Sequence, residues 1–375
     1  SRLDGGAWEG MVHLIQIAFL RCPEGSSGCG IAPAQHATQA RGWLTQIFWL
    51  RVSDTMIHYS APPILLENVI DDLPLVRALL ERNAPYTPLG GWYAAGSEVS
   101  DEPTSALWFQ NDWVHGDFAV EGSELFLWHE GLIEATKTFY DAQVVVPQSI
   151  YVNLMVAIAE GGPAHTDNPR FQGRSRLNTP MWLLRSMLWS GLFDRWSIVQ
   201  ATSIWWMNDV EGGALRYWPK GPDAPPEDHV GKMANTALVG DNHGMFHQVG
   251  PVGPYDQGTR RVTPRAELAP SSDGSGDWEV TDRGDVQFRA PLEAYRVSVL
   301  WKADVYPNEE EQRRQCATSL SLEDVANIFN QDLSDKKSDF RFDVDRLEDP
   351  NLATAIAQVY PEAMPIDALP SIYDA

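Results

Sequence analysis

Hydrophobic positions along the middle of the chain form short runs separated by glycine and proline. The run Ser149–Val156 is almost continuously apolar and rich in β-branched and aromatic residues, and it ends at the turn Gly161–Pro163. This pattern predicts a strand followed by a tight turn. Similar short runs predict further strands, at Trp196–Met207, Gly212–Trp218, Thr236–Val239 and Ala294–Tyr306.

Helical spacing of apolar residues dominates on both sides of these strands. Apolar residues recur every three or four positions over Gln35–Met56 and Pro63–Asn83, which predicts helices there. Further helices are predicted over Glu124–Ala142 and, inserted between the strands, over Trp182–Leu192. The tail from Leu320 is also predicted to be helical, with Ser321 and Asp324 in a capping pattern and Asp349-Pro350 at a helix start. Tyr86–Asp117, with its prolines and paired glycines, is predicted to be a loop.

These patterns indicate a mainly β protein with α-helical flanks, built around a sandwich or barrel. We expect a single composite domain over residues 1–375. Its parts are a mostly helical N-terminal flank (1–143), a β core (144–306) and a helical C-terminal tail (307–375). The Gly-, Pro-, Ser- and Asp-rich segment 253–290 is predicted to be a loop or hairpin inserted into the core.

The charge of the chain narrows the choice of partners. Aspartate and glutamate number 51 against 28 lysines and arginines, which gives a formal net charge of −23. Such a surface repels polyanions, so we expect a small-molecule partner and neither nucleic acid nor a membrane. Cys22, Cys29 and Cys316 form no recognisable framework, which favours reduced thiols in a cytoplasmic protein, although Cys22 and Cys29 could also pair.

Candidate chemistry lies immediately after the Gly161–Pro163 turn. In an extended chain, residues i and i+2 project to the same side, so His165 and Asp167 can direct an imidazole and a carboxylate at one point. Together with a distal histidine they would form a facial metal triad. His247 is the candidate for that third position, and His243 is its rival. His115 and Asp117 form a second, competing pair.

In these motifs the chain resembles the Fe(II)- and 2-oxoglutarate-dependent oxygenases, over roughly residues 148–306. The resemblance rests on His165-Thr-Asp167, on His247-x-Val-x-Pro-Val, and on Arg296-x-Ser298 at the start of a strand. It leaves open the phytanoyl-CoA hydroxylase-like and prolyl hydroxylase-like branches. The basic residue of the family normally follows the distal histidine more closely, whereas here the separation is 296 − 247 = 49 residues.

The resemblance implies a double-stranded β-helix core in which His165, Asp167 and His247 bind Fe(II). Arg296 and Ser298 would hold the far carboxylate of 2-oxoglutarate, with Tyr151 and Asn153 nearby. Arg260 and Arg261 compete with Arg296, which we prefer because it opens an apolar, strand-like segment. Three further residues could contact the substrate: Arg170, Trp205 and Arg216.

The implied reaction oxidises a small or medium-sized organic molecule with O2 and releases succinate and CO2. A carboxylate at Asp167 favours hydroxylation over halogenation, because related halogenases have a small residue there. Two alternatives stay open. One is a cupin-like hydrolase or isomerase with another metal at the same ligands, and the other is a barrel that binds a small molecule without catalysis.

Overall fold

The computed structural model of the protein describes residues 61–89, 103–105, 108–253 and 261–372, and only the backbone of residues 49–52, 55–58 and 104. The strands are β1 Trp49–Val52, β2 Thr55–His58, β3 Ile64–Glu67, β4 Thr87–Leu89, β5 Thr104–Ser105, β6 Trp108–His115, β7 Phe118–Ala119, β8 Val144–Met155, β9 Arg170–Phe171, β10 Ser197–Trp206, β11 Leu215–Trp218, β12 Glu227–His229, β13 Thr236–Gly240, β14 Phe246–Val249, β15 Arg261–Val262, β16 Glu267–Pro270, β17 Asp277–Asp282, β18 Asp285–Pro291 and β19 Arg296–Tyr306. The helices are α1 Leu73–Arg82, α2 Glu124–Leu127, α3 Glu130–Tyr140, α4 Met181–Ser190, α5 Glu309–Cys316, α6 Leu322–Asp335 and α7 Pro350–Val359.

Two antiparallel sheets form the core. The larger has the strand order β3-β13-β10-β19-β8-β6-β4, and the smaller has the order β12-β11-β14. Isolated bridges extend the smaller sheet, pairing Ile158 with Val252 and His165 with His247. Ile204 and Leu300 from the larger sheet pack in one buried cluster with Leu215 from the smaller sheet. The sheets therefore face each other, and the predicted double-stranded β-helix core, also called a jelly roll, is confirmed.

Alternation along β19 decides which side chains enter the space between the sheets. Val297, Val299 and Trp301 pack in the large cluster on the helical side of the main sheet. Successive strand residues point to opposite faces, so the even-numbered residues of β19, from Arg296 to Lys302, point between the sheets. Leu300 confirms this orientation, because it packs in the cluster that joins the two sheets.

The predicted helices of the C-terminal tail are confirmed. α6 begins with a complete capping box between Ser321 and Asp324, and α7 begins at Pro350 with Asp349 as its N-cap. These helices and α4 share a second buried cluster, in which Phe329 contacts the rings of Phe193, Phe342 and Tyr360. The tail thus packs onto the barrel through its own hydrophobic core.

Three local predictions are wrong. The predicted helix Pro63–Asn83 begins as strand β3, which pairs with β13, and turns helical only at Leu73. The predicted loop Tyr86–Asp117 contains β4 and β6, which pair with each other and, through β6, with β8. The end of the predicted helix Gln35–Met56 is strand where the structure describes it, and the rest lies outside the described residues. Pairing with distant strands overrides local spacing in each case.

The inserted segment is more ordered than a loop. β16, β17 and β18 form a three-stranded antiparallel sheet, and Trp278, Val280 and Phe288 bury their side chains in the main cluster. Polar, Gly-rich composition marks the turns of this sheet, such as Gly274 at φ +79°, while its alternating apolar residues form the packed face. The insertion therefore braces the barrel wall.

Cys316, at the end of α5, is disulfide-bonded. This corrects the expectation of reduced thiols for that residue; Cys22 and Cys29 lie outside the described residues. The helices of the described part of the chain include none with the length and apolar character needed to cross a membrane.

Candidate metal centre

One group of potential metal ligands stands out among the described residues. Ligand atoms of His165, Asp167 and His247 all lie within 4.8 Å of one another. The backbone explains this proximity, because His165 and His247 pair across two neighbouring strand segments through N–H to O distances of 3.0 and 2.9 Å. Their ring centroids are consequently 4.4 Å apart. The i and i+2 spacing then brings Asp167 to the same side.

Backbone carbonyls fix the orientation of both imidazoles. Nδ1 of His165 lies 2.9 Å from the carbonyl oxygen of Pro163, and Nδ1 of His247 lies 3.3 Å from that of Met245. A ring that donates from Nδ1 keeps its lone pair on Nε2. Nε2 of His247 lies 3.8 Å from Oδ1 of Asp167, so the lone pair and a carboxylate oxygen converge as metal ligands require.

The electrostatics keep each group in its ligating form. Burial lowers the pKa of His165 to about 4 and also lowers the pKa of His247, so both rings are neutral at neutral pH. Burial opposes ionisation of Asp167, but the ammonium of Lys302, with smaller contributions from the histidines, holds the pKa of Asp167 well below its usual range. Two neutral imidazoles and one carboxylate are the donor set of a facial triad that leaves coordination positions open.

The interior face of the main sheet forms successive rows across the strands. Thr202 pairs with Lys302 at the level of Asp167, and both donate to its Oδ2, at 3.2 and 2.9 Å. Leu300 pairs with Tyr151 in the next interior row, which also includes Ile204. This middle row is largely apolar.

The rows farthest from the metal ligands become polar again. Ser298 pairs with Asn153 and with Trp206, and Arg296 pairs with Met155. Ser298 and Asn153 are buried, and Oδ1 of Asn153 has no hydrogen-bond partner within the described residues. Polar groups at both ends and an apolar middle row suit a molecule that is itself polar at both ends.

Arg296 is a buried cation whose contacts are incomplete. Only 2% of the residue is exposed. Its Nε donates to the carbonyl oxygen of Gly213 at 2.9 Å, and its guanidinium lies 5.6 Å from the centroid of the Trp206 ring. Within the described residues, Nη2 has no hydrogen-bond partner. Burial lowers the pKa of Arg296 to about 9, so the side chain stays charged at neutral pH. A buried positive charge is stabilised by a paired anion, so this end of the interior suits an anionic group of a ligand.

The strand register gives the separation between the two polar ends. Tyr217 pairs with His247, and the N–H of Gly213 donates to the carbonyl oxygen of Pro251 at 2.6 Å. Gly213, which bonds Arg296, therefore lies four residues from the level of the metal ligand, or about 13 Å along the strands. A ligand that contacts both ends has to extend along the strands between them and have an anionic group at the Arg296 end.

The other predicted residues are placed differently. Trp205 packs on the helical side of the sheet and donates to Oδ1 of Asn235. Arg216 forms an ion pair with Asp228, and Arg170 forms one with Asp304. The structure therefore brings the three candidate metal ligands and the residues of the Arg296 end around one interior. Trp205, Arg216 and Arg170 instead bond to Asn235, Asp228 and Asp304.

The rival residues do not join the cluster of ligand atoms. His115 lies 2.9 Å from Asp112 on β6, and Arg261 lies on β15, where it donates to the carbonyl oxygen of Pro103. His243 is near Asp167 but outside the group of ligand atoms within 4.8 Å. Arg260 lies outside the described residues.

Sequence reasoning missed three contributors: Lys302, Thr202 and Gly213. Lys302 follows Arg296 by six residues, an even number, so strand alternation alone places both on one face of β19. Thr202 and Gly213 gave no such signal, because their contacts with Asp167 and Arg296 come from sheet pairing between distant segments.

Comparison with known proteins gave structural neighbours only. No protein-family model matches the chain, and no curated protein sequence matches it. Similar solved structures include an oxidoreductase of the 2OG-Fe(II) oxygenase family from Burkholderia pseudomallei (14% identity, 66% of this chain and 86% of that chain, TM-score 0.34). Two others are a prolyl-4-hydroxylase from Pseudomonas putida (13%, 66% and 94%, 0.33) and HygX from Streptomyces hygroscopicus with nickel, 2-oxoglutarate and hygromycin B bound (9%, 65% and 83%, 0.35). At these values, the geometry of the site has to support any functional conclusion.

Proposed function

We propose that the protein is a non-haem Fe(II)- and 2-oxoglutarate-dependent oxygenase that hydroxylates a small or medium-sized organic molecule. One observation is central to this proposal: the cluster of His165, Asp167 and His247, in which His247 is buried and the other two are partly buried, shares the barrel interior with the buried cation Arg296. Nη2 of Arg296 has no hydrogen-bond partner within the described residues. Bound iron would supply the coordination and redox chemistry that couples oxidation of the substrate by O2 to conversion of 2-oxoglutarate into succinate and CO2.

Each part of the interior has a task in this proposal. His165, Asp167 and His247 hold the metal from one side, so that its other positions stay open. Arg296 pairs with the far carboxylate of 2-oxoglutarate, and the buried hydroxyl of Ser298 adds a hydrogen bond. The apolar middle row at Leu300 packs against the methylene groups between the two ends.

The buried walls also determine how the reaction is protected from water. Leu300 and Ile204 are almost fully buried, and Trp206 is fully buried. A site enclosed by such side chains strengthens the ionic contacts of the co-substrate and limits side reactions with water. Arg296, Ser298 and Asn153 orient the co-substrate from the end opposite to the metal, so the substrate would approach from the metal side.

An anaerobic titration tests the proposal. Fe(II) and then 2-oxoglutarate are added to metal-free protein, and the visible spectrum is recorded. We expect a weak charge-transfer band in the wild type, its loss in Asp167→Ala, and a much higher 2-oxoglutarate requirement in Arg296→Leu. Arg261→Leu is the matched control, because Arg261 is an exposed arginine on β15 and its removal should leave the band unchanged.

The other outcomes are equally informative. Metal binding without any band at high 2-oxoglutarate would reject the co-substrate and favour the cupin-like hydrolase or isomerase at the same ligands. Failure of the wild type to bind any divalent metal would reject the triad and leave a non-catalytic binding barrel. Equal bands in wild type and Arg296→Leu would remove Arg296 from the co-substrate site.

A further inference from the structure

Lys302 occupies an unusual position for a lysine. Its Nζ lies 2.9 Å from Oδ2 of Asp167, and the two side chains are only 14% and 12% exposed. The hydroxyl of Thr202 donates to the same oxygen at 3.2 Å. The two oxygens of Asp167 are thus differentiated: Oδ2 is held by two donors, while Oδ1 lies 3.8 Å from Nε2 of His247.

This arrangement leaves one oxygen for a metal ion. Oδ2 accepts hydrogen bonds from the ammonium of Lys302 and the hydroxyl of Thr202. Oδ1 is instead directed towards Nε2 of His247, the neighbouring candidate ligand. Asp167 is therefore preorganised to bind a metal through Oδ1 alone. The nearby acid Asp241 is held in place separately, because its Oδ1 accepts from the backbone N–H groups of His243 and Gly244.

A charge count shows what the lysine changes. Without metal, Lys302 neutralises Asp167, which would otherwise be a buried and uncompensated anion. With a divalent ion bound, the ion, Asp167 and Lys302 together have a charge of about +2 − 1 + 1 = +2, where an alcohol or amide at position 302 would leave +1. A site with this extra positive charge repels the incoming cation and attracts a dianion.

We propose that Lys302 is a charge-balancing residue of the metal centre, which weakens binding of the metal alone and strengthens binding of a dianionic co-substrate to the metal-loaded site. The inference rests on the proposed metal site and on the proposed dianionic co-substrate. Lys302 acts here as a positioning residue through Asp167, with Thr202 as its partner.

The test uses Co(II), which absorbs in the visible range, and compares wild type with Lys302→Gln. Glutamine removes the charge but keeps a donor for Oδ2 of Asp167, so the fold is expected to be preserved. We expect Lys302→Gln to bind Co(II) about tenfold more tightly or more, and the Co(II)-loaded variant to bind 2-oxoglutarate about tenfold more weakly. Pyruvate, a monoanion, should discriminate less between the two proteins.

Lys302→Arg is the control variant, because it keeps the positive charge. It should resemble the wild type in both titrations. A purely structural lysine would give unchanged or jointly weakened binding in Lys302→Gln, and either result overturns the inference, as does an Arg variant that behaves like the Gln variant. Absence of 2-oxoglutarate binding in the wild type would instead refute the proposed function, while the metal titration would still test the role of Lys302.

Discussion

Replacing Gly213 by alanine adds one carbon next to Arg296. The new Cβ would lie 2.9 Å from Cδ and 3.2 Å from Nε of Arg296, and 3.1 Å from Cγ2 of Val210. The first distance is shorter than carbon atoms tolerate, so the Arg296 side chain must move. Its hydrogen bond from Nε to the Gly213 carbonyl is the contact that this movement strains.

The expected magnitude has two parts. Gly213 adopts φ +68°, and a side chain in this left-handed region costs roughly 1–2 kcal/mol of folding stability. Displacement of the guanidinium weakens its charge-assisted bonds to the co-substrate, each worth about 1.5–3 kcal/mol. Partial loss of one such bond raises the dissociation constant of 2-oxoglutarate about tenfold, since each 1.4 kcal/mol corresponds to roughly one decade.

The assay is an anaerobic titration of Fe(II)-loaded protein with 2-oxoglutarate, next to a separate metal titration and a urea melt. Gly274→Ala is the matched control: Gly274 also has a positive φ, +79°, but a Cβ there would meet nothing within 4 Å. Both variants should lose the stability that a side chain at positive φ costs, Gly213→Ala should lose more because Arg296 is displaced, and only Gly213→Ala should lose co-substrate affinity. Unchanged 2-oxoglutarate affinity in folded Gly213→Ala would refute our placement of the co-substrate carboxylate at Arg296.

Three further predictions concern the rest of the molecule. Arg185 donates to the carbonyl oxygen of Thr166, between two metal ligands, and pairs with Glu362; Arg185→Met should weaken Co(II) binding several-fold in a visible titration, and unchanged affinity would contradict this. Burial raises the pKa of Asp194 to about 6, so the free-energy cost of ionising this carboxyl in the folded protein grows as pH rises from about 4 to above 6. In urea melts, Asp194→Asn should therefore raise the free energy of unfolding by about 1 kcal/mol at pH 8 and by almost nothing below pH 4, after allowance for the partial exposure of Asp194. Phe329→Ala should cost about 3–5 kcal/mol of unfolding free energy in the same melts, because Phe329 is fully buried, and a loss below 1 kcal/mol would contradict the packing.

Much of the candidate site followed from local sequence. His165 and Asp167 are two residues apart after a turn, so backbone geometry alone aims both at one side. The apolar segment that Arg296 opens favours it over Arg261, and the structure places Arg296 in the barrel interior, whereas Arg261 is exposed on β15. The long separation between His247 and Arg296 is taken up in part by β16–β18, which fold as a separate sheet within the connection.

Local pattern failed where long-range pairing decided the structure. The residues of β3 have apolar positions that suit a helix, yet they pair with β13, about 170 positions later in the chain. β6 lies in a segment rich in turn residues, and it forms a strand because its backbone pairs with that of β8. In both segments the hydrogen bonds of a neighbouring strand satisfy the backbone, and this outweighs weak local preferences.

By itself the sequence determined the candidate ligand types, the strands β8, β10, β11, β13 and β19 of the core, the helix caps of the tail and the acidic surface. These follow from properties that residues have in any fold: side-chain chemistry, strand alternation, capping and charge. Only the tertiary structure decided that His247 pairs with His165, that Lys302 and Thr202 hold one oxygen of Asp167, and that Gly213 leaves room for Arg296. Those contacts depend on the register between strands distant in sequence, which is fixed by burying one face of each sheet against the other.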